Sequence, residues 1–274
     1  MGLRINQNIA AMNAYRNLAV NDGSMAKSLE KLSSGFRINR AADDAAGLSI
    51  SEGLRSQIGG LKVAVRNAQD GVSVVQTAEG ALTETHSILQ RMRDLAVQAA
   101  NGGSQDTDAQ KAADTEFQAL KTELTRISDT TKFGSQALLN GSYSGVFQVG
   151  ANTGEVITVS IATDLDSTGL SLASNALTST SLASAAISSV DTAIKTVSTA
   201  RANLGAMQNR FEHTINNLNV AVENLSASES RIRDTDMASE MVQFTRGQIL
   251  SQAGTAMLAQ ANSAPQSVLQ LLRG

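Results

Sequence analysis

Few side chains in this 274-residue sequence could do chemistry, and the histidines are the first to consider. His86 and His213 lie far apart and form neither a His-x-x-x-His nor a His-Glu-x-x-His pair, so a zinc hydrolase site would lack ligands. Both fall at or beside apolar helical stripes, which favours packed side chains. Cysteine is absent, which excludes disulfides, thiolate metal sites and cysteine nucleophiles.

The adjacent carboxylates Asp43 and Asp44 are the next candidates, for general acid–base catalysis. Neighbouring side chains on a helix point about 100° apart, and neither a histidine nor a nucleophile accompanies this pair. The favoured interpretation is a helix start or an interface. We therefore expect no catalytic residue, no metal ligand and no cofactor, in a protein that is not an enzyme.

Composition narrows the class of protein further. The net charge of −3 gives no electrostatic basis for binding nucleic acid, and no apolar stretch approaches the ~20 residues of a membrane span. The N-terminus lacks the continuous apolar segment of a cleaved secretion signal, so an extracellular protein would leave by another route. The chain has only 3% aromatic residues and one proline, Pro265, which permits very long helices packed through small aliphatic side chains.

The elements that would position these residues are long helices. The first, about 5–33, has a stripe with one aspartate in it: Met12, Tyr15, Leu18, Asp22, Met25, Leu29 and Leu32. The second, about 48–100, would be ~80 Å long. A third ends near Asp129, a fourth covers about 187–232, and a fifth covers about 234–262. The fifth has only a weak stripe, which consists of Leu250, Ala253, Met257 and Ala261.

The stripes of the second and fourth helices predict a packing seam along a rod. Its spacings of three and four match a coiled coil. The seam is expected to contain Leu54, Ile58, Leu61, Val65, Val72, Val75, Leu82, Leu89, Ile194, Leu204, Phe211, Leu218 and Leu225.

Two segments between the helices follow other patterns. Residues 146–161 alternate apolar and polar side chains around Asn152-Thr153-Gly154, which predicts a β-hairpin. Residues 162–185 are rich in Ser, Thr, Ala and Leu and carry little charge. We interpret them as an exposed connection at the tip, and O-linked sugars there remain an alternative to a bare chain.

The sequence thus predicts a mainly α protein: a long antiparallel helical coiled-coil rod with a small β-hairpin in its tip region and both chain ends paired at one end. Its parts would be an N-terminal helix of an inner layer (1–43), long helices with the hairpin and exposed connection (44–185), a returning helix (186–233) and a C-terminal inner-layer helix (234–274). The two end segments are weakly apolar, so we expect them to order only when partners cover them.

Several long blocks of this chain resemble bacterial flagellins. They include SLEKLSSGFRINRAADDAAGLSISE at 28–52, RNAQDGVSVVQTAEGAL at 66–82, FQVGANTGEVI at 147–157 and ENLSASESRIRDTDMASEM at 223–241. Phe36 and Phe211 stand where leucine is usual in the family, and there is no room for its large outer domains. The resemblance implies a minimal flagellin, a structural subunit that polymerises into the extracellular flagellar filament for swimming.

The resemblance also implies recognition sites. Arg91, Leu95 and Glu116 match the surface that flagellins present to the flagellin-sensing Toll-like receptor, with ordinary subunit packing as the alternative. The terminal leucines that a cytosolic inflammasome receptor senses correspond to Leu269, Leu271 and Leu272. Packing of the inner layer is the expected main role of these leucines.

Further partners are implied by the same resemblance. Subunits would pass unfolded through a type III export channel, held by a chaperone on the C-terminal segment, and their ends would fold on assembly beneath a filament cap. Junction proteins would join the filament to the hook. A hook–filament junction protein is the nearest alternative, and a chemoreceptor rod, from a different class, would need a membrane span.

Overall fold

The computed structural model describes the backbone of residues 7–103 and 106–271 and the side chains of residues 7–103 and 106–263. Its helices are α1 (Ile9–Ser34), α2 (Ala45–Ala100), α3 (Thr107–Thr130), α4 (Thr180–Arg233) and α5 (Met237–Leu271). Its strands are β1 (Lys132–Phe133), β2 (Gln136–Ala137), β3 (Tyr143–Gln148) and β4 (Val156–Ile161). The prediction of a mainly α chain with long helices and a small β-hairpin is confirmed.

The chain forms two compact units. Unit 1 comprises residues 1–56 and 224–274, and unit 2 comprises residues 57–223. Helices α2 and α4 therefore contribute residues to both units. The predicted division into inner-layer and rod segments concerns the assembled filament, and it stays a prediction.

Unit 1 contains the paired ends of the chain. Helices α1 and α5 pack antiparallel, since Asn8 near the start of α1 donates its amide to the carbonyl of Ala261, whereas Asn21 donates to the carbonyl of Gly247. The predicted pairing of the two chain ends is thus present. Helix α5 continues to Leu271, further than the predicted end near residue 262.

Unit 2 is built around α2, α3 and α4. Asp106 caps α3 by accepting from the backbone N–H of Ala109 at 2.8 Å. The apolar side chains of unit 2 form one buried cluster that includes Val75, Leu82, Leu89, Met92, Phe117, Leu124, Val190, Val197, Leu204 and Phe211. This cluster supplies the packing that holds unit 2 together.

The predicted hairpin is formed by β3 and β4, and it begins at Tyr143, three residues before the predicted start. Its strands are antiparallel, with Phe147 opposite Ile157. The ring of Phe147 packs edge-on against Phe211 of α4, with ring centroids 5.6 Å apart. Sequence analysis did not predict the short hairpin of β1 and β2, which turns at Gly134 with a φ of +60°.

The interpretation of residues 162–185 as an exposed connection is only partly right, because about half of them are exposed and the others are covered. Helix α4 already begins at Thr180. The preceding loop buries four leucines in the core cluster, namely Leu165, Leu170, Leu172 and Leu177. Side chains of α3 hold the loop, because Lys121 donates to the carbonyl of Ala173 at 2.7 Å and Asp114 accepts from the N–H of Leu177 at 2.7 Å. These leucines are spaced at irregular intervals of five, two and five residues, so the sequence offers no period that would predict their burial.

Candidate functional site

The contact between α1 and α5 is rich in small and polar side chains. The covered positions of α1 recur every three or four residues and include Ala11, Ala14, Leu18, Asn21, Met25, Ser28 and Leu32. Those of α5 are Glu240, Phe244, Gly247, Ser251, Gly254, Leu258 and Ala261. We call these two sets the terminal seam. Small residues at a helix contact allow the two helix axes to approach closely.

The stripes predicted for the two end helices are therefore only partly right. On α1, Met12, Tyr15 and Leu29 are exposed, as is Asp22. On α5, the exposed set includes Leu250, Ala253 and Met257, while Ala261 lies in the seam. The prediction assumed that the largest apolar side chains face the partner helix.

These outward side chains form what we call the apolar band of unit 1. On α1 it consists of Ile9, Met12, Tyr15, Val20 and Leu29. On α5 it consists of Met237, Met241, Val242, Ile249, Leu250 and Met257. Exposed apolar sets of this extent are typical of interaction surfaces.

A structured joint connects α1 to α2 in unit 1. Gly35 ends α1 with a φ of +74°, and Arg37 donates its backbone N–H to the carbonyl of Arg233 at 2.6 Å. The guanidinium of Arg233 lies 4.9 Å from the ring centroid of Phe36 and donates to Glu52 at 2.6 Å. This hydrogen bond lowers the pKa of Glu52. The joint thus has defined geometry at the base of the α1–α5 pair.

The candidate catalytic carboxylates are structural parts of the joint. Asp43 accepts from the backbone N–H groups of Arg40 and Asn39, and these bonds lower its pKa. Asp44 begins α2 by accepting from the N–H of Gly47 at 2.8 Å. Asp43 therefore stays ionised at neutral pH, and neither group faces a nucleophile within the described residues.

The two histidines differ in their surroundings. His86 is half-buried, with its Nε2 atom 3.0 Å from the side-chain nitrogen of Gln90. His213 is exposed, so its predicted packed environment is wrong. The described residues include no cluster of His, Cys, Asp or Glu suited to a metal ion. Across the same residues, no helix combines the length and apolarity needed to cross a bilayer.

The residues predicted for receptor recognition fall into two environments. Arg91 of α2 and Glu116 of α3 are exposed and form a two-point ion pair, with bonds of 2.7 and 3.1 Å. This pairing lowers the pKa of Glu116 and raises that of Arg91. Leu95, in contrast, is 3% exposed and belongs to the core cluster. The structure does not place Leu95 on the surface that carries the ion pair.

The other predicted sites lie in the seam and at the C-terminus. Every residue predicted for the rod seam is buried or half-buried. Leu272 and the side chains of Leu269 and Leu271 lie outside the described residues. Sequence analysis missed the roles of Asn21, Gly247 and Arg233. A seven-residue repeat on α5, Glu240, Gly247, Gly254 and Ala261, is the signal that could have found the terminal seam.

Family comparison covers both helical regions of the chain. Residues 5–144 match the bacterial flagellin N-terminal helical region, and residues 187–272 match the bacterial flagellin C-terminal helical region. The chain is 57% identical to a flagellin of Halalkalibacterium halodurans, over 98% of this chain and 99% of that protein. It is 51% identical to a flagellin of Bacillus subtilis, over 99% of this chain and 100% of that protein.

Solved structures agree with this assignment. The crystal structure of Bacillus cereus flagellin is similar with a TM-score of 0.51 and 31% identity, over 56% of this chain and 88% of that one. A hook-associated protein structure from Vibrio parahaemolyticus has a TM-score of 0.59 over 70% of this chain and all of that one, but its 12% identity shows a shared fold alone. The chain therefore belongs to the bacterial flagellin family.

Proposed function

We propose that this chain polymerises into the bacterial flagellar filament as its structural subunit, and that the apolar band of unit 1 carries the contacts between subunits. The family is a structural one, and the chain is not an enzyme. One observation carries the proposal: the end helices leave many of their large apolar side chains exposed. Burial of apolar surface contributes about 25 cal/mol per Å², so covering this band favours association.

The geometry of the band suits an open polymer. A filament requires heterologous contacts, in which a neighbouring copy meets the band with a different surface. Contacts between unlike surfaces produce a helical filament when the rotation does not close a ring. The filament lies outside the cell and supports swimming motility.

Paired valine substitutions test the role of the band. Val20 and Val242 are exposed in unit 1, and Val97 and Val146 are exposed in unit 2. Val20→Ser with Val242→Ser should abolish sedimenting filaments after seeding, as seen by negative-stain electron microscopy. Val97→Ser with Val146→Ser is the matched control and should still polymerise. Normal filaments from the first variant would contradict the proposal.

The end helices are further proposed to order fully only in the filament. The large apolar residues of the terminal seam are only half-buried, and on α1 the buried seam residue is a serine, Ser28. Ordering a residue costs about 1–2 kcal/mol of backbone entropy, and isolated helices are marginal in water. Circular dichroism should show helix content rising as seeded subunits polymerise. Unchanged helix content would contradict this part of the proposal.

Export and accessory partners belong to the same proposal. Subunits would cross a type III channel unfolded, with a chaperone on residues 234–274. In the filament they would meet the cap protein at one end and the hook-junction proteins at the other. The single proline of the chain supports rapid refolding after export, because few prolyl isomerisation steps can limit it.

Host recognition is proposed separately from assembly. The exposed Arg91–Glu116 pair supports contact with the flagellin-sensing Toll-like receptor. Leu95 would take part only after local rearrangement, because it is buried in the core. Sensing of Leu269, Leu271 and Leu272 by the inflammasome receptor likewise stays a proposal. The receptor signalling that Arg91→Ala elicits tests the proposed contact at the Arg91–Glu116 pair. Arg126→Ala is the comparison, because Arg126 forms a different ion pair on α3.

A further inference from the structure

The terminal seam contains polar contacts that all fit one alignment of α1 with α5. The side-chain amide of Asn21 donates to the carbonyl of Gly247 at 2.7 Å. One turn away from this bond, the hydroxyl of Ser251 donates to Asp22 at 3.1 Å. At one end of the seam, the side-chain amide of Asn8 donates to the carbonyl of Ala261 at 2.7 Å. At the other end, Lys31 forms an ion pair with the buried Glu240 at 3.8 Å.

Glycine brings the two helices close enough for these contacts. A Cβ atom built at Gly247 would lie 3.5 Å from Cβ of Met25, and one built at Gly254 would lie 3.9 Å from Cβ of Leu18. Gly247 is buried, so the carbonyl that accepts from Asn21 lies inside the seam. At this separation a short asparagine side chain reaches the backbone of the facing helix.

Apolar packing alone does not select this alignment. The small seam residues of α5 recur every seven positions, so a slip of seven residues would replace Gly247 by Gly254. Such a slip moves α5 by about 10 Å along α1. The polar contacts do distinguish the native register from the slipped one, because after a slip Asp22 would face Phe244 or Leu258 in place of Ser251. Glu240 would also lose Lys31 and remain a buried carboxylate without its partner.

We infer that Asp22, through Ser251, together with Glu240, sets the register of the α1–α5 pair and thereby specifies which apolar side chains the band presents to the next subunit. The inference rests on the proposed function for its consequence, because the band matters only if it contacts a neighbour. A polar contact at a helical seam commonly fixes alignment at some cost in stability. Asp22 is thus a specificity-determining residue for assembly.

Engineered cysteine pairs can read the register directly, since the chain has no cysteine of its own. Leu18→Cys with Gly254→Cys reports the native register, because its Cβ separation of 3.9 Å suits a disulfide. Met25→Cys with Gly254→Cys reports the slip of seven residues that places Gly254 where Gly247 faces Met25. Both pairs are oxidised in the full-length subunit and in seeded filaments, and the crosslinked fraction is measured by non-reducing electrophoresis.

In the otherwise unchanged chain, the native pair should crosslink and the slipped pair should not. Asp22→Leu should raise the ratio of slipped to native crosslinking by about fivefold or more, because it removes the hydrogen bond from Ser251 that forms only in the native register. Asn13→Leu is the matched control, because Asn13 is exposed on the same helix and bonds only to Arg16 within the described residues. It should leave the ratio unchanged.

The outcomes separate this inference from the proposed function. An unchanged ratio in Asp22→Leu, or equal crosslinking of both pairs in filaments of the parent chain, would overturn the register assignment. A parent chain that crosslinks in the native register and never sediments after seeding would refute polymerisation and leave the register assignment intact. A raised slipped fraction with short or irregular filaments would support both.

Discussion

The two units of this chain cover their apolar side chains in different ways. Unit 2 buries leucine, valine and phenylalanine in a cluster of its own, and Phe211 there is fully buried. Unit 1 pairs its end helices through small and polar residues and leaves Tyr15 66% exposed. Unit 2 is thus stabilised by its own packing, whereas unit 1 leaves much of its apolar surface for a neighbouring subunit.

This difference separates stability from assembly. A substitution in the core of unit 2 should affect folding whether or not a filament forms. A substitution in the apolar band of unit 1 should affect the filament and leave the unfolding of the free subunit nearly unchanged. The comparison can therefore be tested by measuring both properties for pairs of substitutions.

The largest effect is expected for Phe211→Ala. Removing a fully buried phenylalanine should lower the free energy of unfolding by about 3–5 kcal/mol. Tyr15→Ala removes a ring of similar size from the exposed face, so we expect a change within about 0.5 kcal/mol together with loss of seeded filaments. Urea unfolding followed by circular dichroism gives the first quantity, and sedimentation gives the second. Equal destabilisation by the two substitutions would remove the distinction between the units.

Glycine-to-alanine substitutions give a smaller and more specific comparison. A Cβ at Gly71 would lie 2.6 Å from the ring of Phe211, so Gly71→Ala should cost about 1–3 kcal/mol through overpacking, partly offset by better helix propensity. A Cβ at Gly247 would meet Met25 at an ordinary 3.5 Å. Gly247→Ala should therefore leave the thermal midpoint unchanged or slightly raised. A larger loss for Gly247→Ala than for Gly71→Ala would show that the terminal seam is the more tightly packed region.

How far the sequence predicts this molecule depends on side-chain size. In α2 and α4 most of the large apolar residues are covered, so the spacing of Leu82 and Leu89 was enough to locate the packed face. In α1 the covered set includes Ala14 and Ser28, and no hydropathy pattern distinguishes these from exposed small residues. The burial of loop leucines such as Leu172 was not predicted for another reason, since a loop has no regular period to detect.

The polar contacts were beyond prediction because they join residues distant in the sequence. Asn21 and Gly247 are separated by most of the chain, and the bond between them needs a helix separation that only the folded pair defines. Arg233 and Glu52 meet in the joint for the same reason. The role of Asp44 was easier to predict, because a helix start was among its favoured interpretations and a capping residue acts on its immediate neighbours.

Acid should loosen the joint of unit 1 through Glu52. The bond from Arg233 lowers the pKa of Glu52 in the folded chain below its unfolded value of about 4.3. Its stabilising contribution is therefore complete above that pH and is lost as the pH falls through the lower folded pKa. Hydrogen exchange of residues 35–44, corrected for the intrinsic effect of pH, should accelerate on acidification in the parent chain and less so in Glu52→Gln.

Glu116→Gln provides the comparison in unit 2. Arg91 lowers the pKa of Glu116 in the same sense, so this substitution should reduce the acid sensitivity of α3 and leave residues 35–44 unaffected. Acceleration at residues 35–44 that is the same in Glu52→Gln and in the parent chain would show that other groups control the joint.

The smallest expected effect concerns the leucine-rich loop of unit 2. Ser171 has a φ of +58° between the buried Leu170 and Leu172, in a region that costs an L-residue other than glycine about 1–2 kcal/mol. Ser171→Gly relieves that strain but adds freedom to the unfolded chain, so we expect a net gain of about 0.5 kcal/mol. Ser171→Ala should be neutral or destabilising, because alanine keeps the strain. If urea unfolding gives the same free energy of unfolding for the two variants, the loop is held less firmly than its buried leucines indicate. The contrast between a self-packed unit 2 and an incomplete unit 1 would then be weaker at this position.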